Sequence, residues 1–195
     1  MKNMLPLIAL SGIAVAGFGQ GEPTLPSHCI RTRTSFDLIL QLPYAEAAPL
    51  FGPEGERAWA GKHWNPEFIY PQPAHDEAGA VFTVSQSLGT AVWVNTLFDL
   101  NARHIQYVYF LPDWMVTTID VRFQPVDTQS TRVNVEYTRT ALKSQGNELV
   151  QERSEADARA GKEWQAALDH YLASRKPVEQ HRTYSGSRKA VPKTE

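Results

Sequence analysis

The sequence predicts an α+β domain in which a curved, seven-stranded antiparallel sheet wraps around one long C-terminal helix. Between about residues 80 and 141, five β signals follow one another, each rich in Val, Ile, Thr, Tyr, Phe or Trp and separated by short connections. No crossover helix interrupts them, so the strands should pair as antiparallel hairpins. From about Asn147 to Ser174, apolar and small residues recur every three to four positions, the period of an α-helix. That helix is the one element long enough to cover the apolar face of such a sheet.

With 195 residues, a formal net charge of −2 and a pI near 6.3, the chain suits one domain with tails. It has no basic block and no regular interleaving of Arg with aromatics, which argues against nucleic acid as a partner. The single cysteine, Cys29, excludes an internal disulfide framework and a cysteine-rich zinc site, and reads as a small buried thiol where the first strand begins.

Residues 1–21 combine Lys2, an apolar stretch from Met4 to Phe18 and the small-residue site Ala14-Val15-Ala16, the pattern of a secretory signal peptide. The stretch falls short of the roughly 20 apolar residues of a membrane span. The expectation is a periplasmic or secreted protein with no stable membrane span after cleavage; a misassigned start codon would instead make it cytoplasmic. The domain proper then covers 28–174. Cys29 to Leu42 alternates, with Ile30, Thr32, Thr34, Phe36, Leu38 and Leu40 on one face, and Pro43 ends the strand. Two short helices follow, one from Tyr44 and one from Glu54 to Ala60. The aromatic, proline-flanked stretch to Pro71 has room only for a brief edge strand, Glu67 to Tyr70.

The five β signals are Ala80–Gln86, Thr90–Phe98, Arg103–Leu111, Met115–Gln124 and Thr131–Ala141. Asn147 reads as the cap of the long helix, with Glu148 in its first turn. The helix's stripe is Leu149, Ala156, Ala160, Trp164, Ala167, Leu168 and Tyr171; its small half leaves open a cavity beneath Ala156 and Ala160 or tight packing on the sheet. An interior glycine costs about 1 kcal/mol against alanine, so Gly161 points to close approach or a local bend. Residues 177–195 are polar and poor in large apolars, and are expected to be disordered.

This succession of strand, two short helices, six strands and a long helix resembles the helix-grip fold of the START-like, or SRPBCC, superfamily over about Cys29 to Ser174. The segment Leu50 to Pro71 is similar to the one after the first strand in bacterial members of unassigned function. Thr138 to Leu142, ahead of Gly146-Asn147, is similar to their junction into the last helix. The resemblance implies a cavity between sheet and helix, often used for a small hydrophobic or amphipathic ligand. The superfamily also includes polyketide cyclase and aromatase enzymes and co-chaperone interaction domains, so the fold alone does not choose among ligand binding, catalysis and protein interaction.

The six histidines show no paired helical spacing. His63 and His75 with Asp76 or Glu77 come nearest to a zinc set, and solvated loop histidines are the simpler reading, so no metal and no cofactor are expected. No nucleophile elbow and no dinucleotide fingerprint is present. Candidate cavity or entrance residues are Trp59, His63, Trp64, Phe68 and Tyr70 on the irregular segment, Trp93, Tyr107, Tyr109 and Tyr137 on strands, and Ala156, Ala160 and Trp164 on the helix. Trp64 and Phe68 either gate the cavity or plug its end. Period-two counting sends Glu136 to solvent. The enzyme reading requires a buried acid or base in the cavity, with Tyr, His or Glu moving protons; the interaction reading requires an exposed apolar patch.

Overall fold

The computed structural model describes residues 28–175. Residues 1–21, where a signal peptide is expected, and 177–195, where disorder is expected, lie outside the described residues. β1 (Arg31–Leu40), β2 (Glu67–Tyr70), β3 (Val81–Gln86), β4 (Gly89–Asp99), β5 (His104–Leu111), β6 (Met115–Pro125) and β7 (Thr131–Ala141) form one antiparallel sheet in the order β1-β7-β6-β5-β4-β3-β2. The connection from β1 to β2 holds α1 (Tyr44–Ala47), a 3-10 turn (Ala48–Phe51) and α2 (Pro53–Glu56), and α3 (Asn147–Ser174) closes the domain. This is the expected helix-grip architecture, with every strand boundary within two residues of its sequence-based position. Alternation places them: along β7, Val133, Val135, Tyr137, Arg139 and Ala141 face the core, while Glu136 pairs outside with Arg33.

The register lines up two transverse rows on the inner face. One runs through all seven strands as Phe68, Phe82, Trp93, Tyr109, Thr117, Arg139 and Thr32. Its aromatic half is a stacked ladder, with centroid separations of 5.4 Å for Phe68–Phe82, 5.8 Å for Phe82–Trp93 and 4.3 Å for Trp93–Tyr109. The adjacent row is Asn95, Tyr107, Ile119, Tyr137 and Thr34. These rows form the floor on which the candidate site is built.

α3 spans the expected residues, but its buried face is rotated from the apolar stripe. Val150, Asp157 and Leu168 are the fully buried positions, with Ser154, Gly161 and Trp164 on the same face, whereas Ala156 is exposed. Counting apolar residues misses this face because an aspartate lies at its centre. Asp157 is 6% exposed and accepts both Nε (2.6 Å) and a terminal nitrogen (2.7 Å) of Arg139, itself 5% exposed. The pair joins helix to sheet, and Arg139 also donates to Thr117 and Tyr109. Gly161 allows close approach: an added Cβ would lie 3.0–3.1 Å from Phe36.

Asn147 does not cap α3. Its amide oxygen accepts from the Ile30 N–H and its nitrogen donates to the His28 carbonyl. Gln165 makes the same paired contact with the N–H and carbonyl of Ile39, each at 3.0 Å. Two helix amides thus stand in for a neighbouring strand along the open edge of β1, whose backbone would otherwise be free to template another chain.

Removing one partner of a buried ion pair leaves an uncompensated charge. Asp157→Ala is therefore expected to lower the urea-unfolding free energy by about 3–5 kcal/mol, while Arg139→Met combined with Asp157→Leu recovers most of that loss. Additive losses in the double variant would contradict this coupling.

Candidate functional site

Between the two rows, the segment after α2 and the middle of α3 lies a cavity of about 720 Å³, a size suited to a small molecule. Its most unusual group is carried by α2. Gly52 and Pro53 start this single turn, and the Asp76 carboxylate accepts from the N–H groups of Glu54 (2.9 Å) and Gly55 (3.3 Å). The space is exclusive: a Cβ on Gly52 would lie 1.8 Å from an Asp76 carboxylate oxygen. The turn thereby fixes its last residue, Glu56, inside the core at 6% exposure, where its carboxyl accepts from the Tyr107 hydroxyl at 3.3 Å.

Burial pushes the Glu56 carboxyl up to about 8; the Tyr107 hydrogen bond opposes the shift and the charge of Asp76 adds to it. Glu56 is thus mainly a neutral acid at pH 7. Burial also raises Tyr107 well above the usual tyrosine range, with Glu56 contributing, and raises Tyr137. Arg139 behaves oppositely. Burial works against its charge, but its hydrogen bonds to Asp157 prevail and hold it firmly protonated. The cavity wall therefore contains a compensated ion pair and an acid with no counter-charge. Two buried polar atoms also lack a protein partner among the described residues: the Trp93 indole N–H and the Asn95 side-chain oxygen. Asn95 faces inward, and its amide nitrogen donates to the Glu77 carbonyl.

Eight of the twelve sequence-derived candidates line this cavity. Trp59 donates to the Leu50 carbonyl and meets Trp164 edge-on at 5.1 Å. Trp64 donates to the Pro53 carbonyl and meets Trp93 edge-on at 5.3 Å, while His63 lies exposed beside it. Tyr107, Tyr109 and Tyr137 come from the floor.

Four candidates are placed elsewhere. Phe68 extends the ladder behind Phe82, Tyr70 is 56% exposed on the edge strand, Ala156 faces solvent, and half-buried Ala160 is outside the lining. The zinc set does not assemble: His75 bonds to Glu77, Asp76 is engaged at α2, and no group of three metal-ligating side chains occurs among the described residues.

Sequence reasoning overlooked Glu56 and Arg139, together with the Ser85–Ser87 hairpin and Arg153 and Glu163 of α3 at the cavity wall. Arg139 had a signal, since the alternation that places Tyr137 inward places Arg139 inward too. Glu56 had none. A glutamate in a one-turn helix has no periodicity to reveal its direction.

No protein-family model matches the sequence, and no relative was found among curated proteins. Solved structures do share the fold. Norcoclaurine synthase from Thalictrum flavum superposes with a TM-score of 0.57 at 10% identity, over 85% of this chain and 99% of that one. A Rhizobium loti protein gives 0.55 at 14% identity, over 72% and 99%. The di-domain ARO/CYC BexL from the BE-7585A biosynthetic pathway gives 0.54 at 14% identity, over 73% of this chain and 46% of that one. At such identities the likeness establishes the helix-grip fold alone.

Because Glu56 binds its proton more tightly folded than unfolded, the unfolded chain releases that proton from about pH 4.5 while the folded one retains it to about pH 8. Its contribution to stability is lost as pH rises through that window. Glu56→Gln cannot ionise, so it should gain on the parent by on the order of a few kcal/mol between about pH 5 and about pH 8 in urea titrations. Parallel stability curves would contradict the buried acid.

Proposed function

We propose that this protein binds a small hydrophobic or amphipathic ligand in the cavity between the sheet and α3. One observation carries the reading: a fold with a single covering helix keeps a space of about 720 Å³ between two rows of inward side chains instead of filling it. The wall mixes indole and phenol rings with a few converging polar groups, as small-molecule sites do. Rings provide apolar contact, and Glu56, Tyr107 and the Trp93 N–H provide orientation.

Catalysis is a second reading, favoured by Glu56 itself. A neutral carboxyl beside a phenol can give and take a proton, so a cyclase-like enzyme would have its acid–base group here. The fate of the ligand separates the two readings. A ligand recovered unchanged after incubation supports binding alone, and one converted by the parent but not by Glu56→Gln supports catalysis.

Residues 1–21 are proposed as an export signal that places the domain in the periplasm or medium, on their apolar run and small-residue cleavage site. Amino-terminal sequencing of the protein from a bacterial host should find that segment removed; an intact terminus on cytoplasmic protein would count against export.

Native mass spectrometry of protein purified from its own host should show a bound small molecule, and an anilinonaphthalene dye should bind the emptied protein. Ala167 lines the cavity from α3 and is half-buried. Ala167→Trp is expected to occupy the space and weaken dye binding by about tenfold or more, with a stability change below that of a core truncation. Unchanged dye affinity would move the binding site elsewhere.

A further inference from the structure

We propose that the ligand of this cavity carries a protonated amine, seated against Glu56 and the surrounding aromatic faces. This inference rests on the binding reading above and specifies its ligand class. Glu56 forms none of the ion pairs of the described residues. Its neighbour Tyr107 makes a 3.3 Å contact, longer than the roughly 2.5–2.7 Å of a hydroxyl bonded to a carboxylate anion. The protein itself pairs no cation with this acid, and the long contact fits a protonated carboxyl.

The other charged and titratable groups around the cavity do not supply that cation. Asp76, behind α2, adds negative charge. Tyr107 and Tyr137 of the floor are neutral phenols. Arg139 is fully engaged by Asp157. Arg153 and Glu163 of α3 also line the cavity, but Arg153 forms no ion pair with Glu56, and His63 is exposed. An anionic ligand would meet the potential of Asp76 unfavourably and find no charge on Glu56 to pair with, whereas an ammonium group replaces the proton of Glu56 and leaves a neutral pair. The walls suit that charge. Trp59, Trp64 and Trp164 line the cavity with indole rings, whose faces attract cations, while Trp93 is stacked between Phe82 and Tyr109. The same wall already holds one cation in this way: the Arg139 guanidinium lies 4.8 Å from the Tyr137 ring centroid.

Proton release tests the idea on the full chain without an activity assay. Naphthylmethylamine and its neutral isostere naphthylmethanol are titrated calorimetrically between about pH 6 and about pH 8.5, in buffers of different ionisation enthalpy. The amine is expected to bind at least about tenfold more tightly than the alcohol. Below about pH 8 it should release close to one proton per molecule, with affinity rising about tenfold per pH unit, and level off above. Glu56→Gln should abolish both the preference and the release; proton release by the parent chain stands as evidence should that variant fail to fold.

An alcohol that binds as tightly as the amine, or amine binding without proton release, overturns the proposal. So does an anilinonaphthalene dye that binds while the amine does not, an outcome that leaves the cavity reading intact. Failure of all three probes would remove that reading as well.

Discussion

The ion pair between Arg139 and Asp157 holds this structure in its working form. α3 has only three fully buried residues and one of them is the aspartate, so apolar burial alone fixes its rotation and height weakly. A bidentate pair is directional, and two short hydrogen bonds between a planar guanidinium and a carboxylate leave little freedom in the helix's orientation. Trp164 and Ala167 reach the cavity wall because of that orientation, and the amides of Asn147 and Gln165 align with the edge of β1. Replacing the pair with apolar residues of similar volume need not cost stability. Its contribution is to specify a single arrangement of helix on sheet.

A second constraint operates a short distance away, with the opposite electrostatics. Around Asp157 a buried acid is matched by a cation; Glu56 is paired with none, and burial holds its carboxyl mainly neutral at pH 7. Both carboxyls are nearly inaccessible, so what separates the two sites is the partner that each one has. A fold selected for stability alone gains nothing from an uncompensated glutamate in its core, and such groups gather where a ligand or a reaction uses them. The structure also spends residues on holding it there, since Gly52 exists in a form that admits the Asp76 carboxylate and Asp76 exists to secure the turn that ends in Glu56.

The cavity follows from strand register more than from any segment of sequence. Phe82, Trp93 and Tyr109 belong to three strands and stack because antiparallel pairing places them in one row. Large rings stacked along a row cover area without filling the space above it, and the helix, held toward β1 and β7, does not descend into that space. The unpartnered Trp93 N–H and Asn95 oxygen are consistent with rows that serve a guest as well as the core.

The sequence by itself determined the elements and the inner faces of the strands. Alternation on β1, β5 and β7 and the three-to-four spacing of α3 are local properties of a chain that must bury one side of each element. The inward Tyr107, Tyr109 and Tyr137 were legible for that reason, and so was the close approach at Gly161. Only the tertiary structure decided which α3 face is buried, because Asp157 reads as a surface residue until Arg139, on a strand 18 residues earlier, is brought against it. Only the tertiary structure made Glu56 a neutral acid, because the burial that raises its carboxyl, and the charge of Asp76 that adds to it, come from segments distant in sequence, Asp76 lying 20 residues away and the overlying Tyr107 51. Apolar burial leaves a periodic trace in sequence, whereas the compensation of a buried charge depends on one distant partner and leaves none.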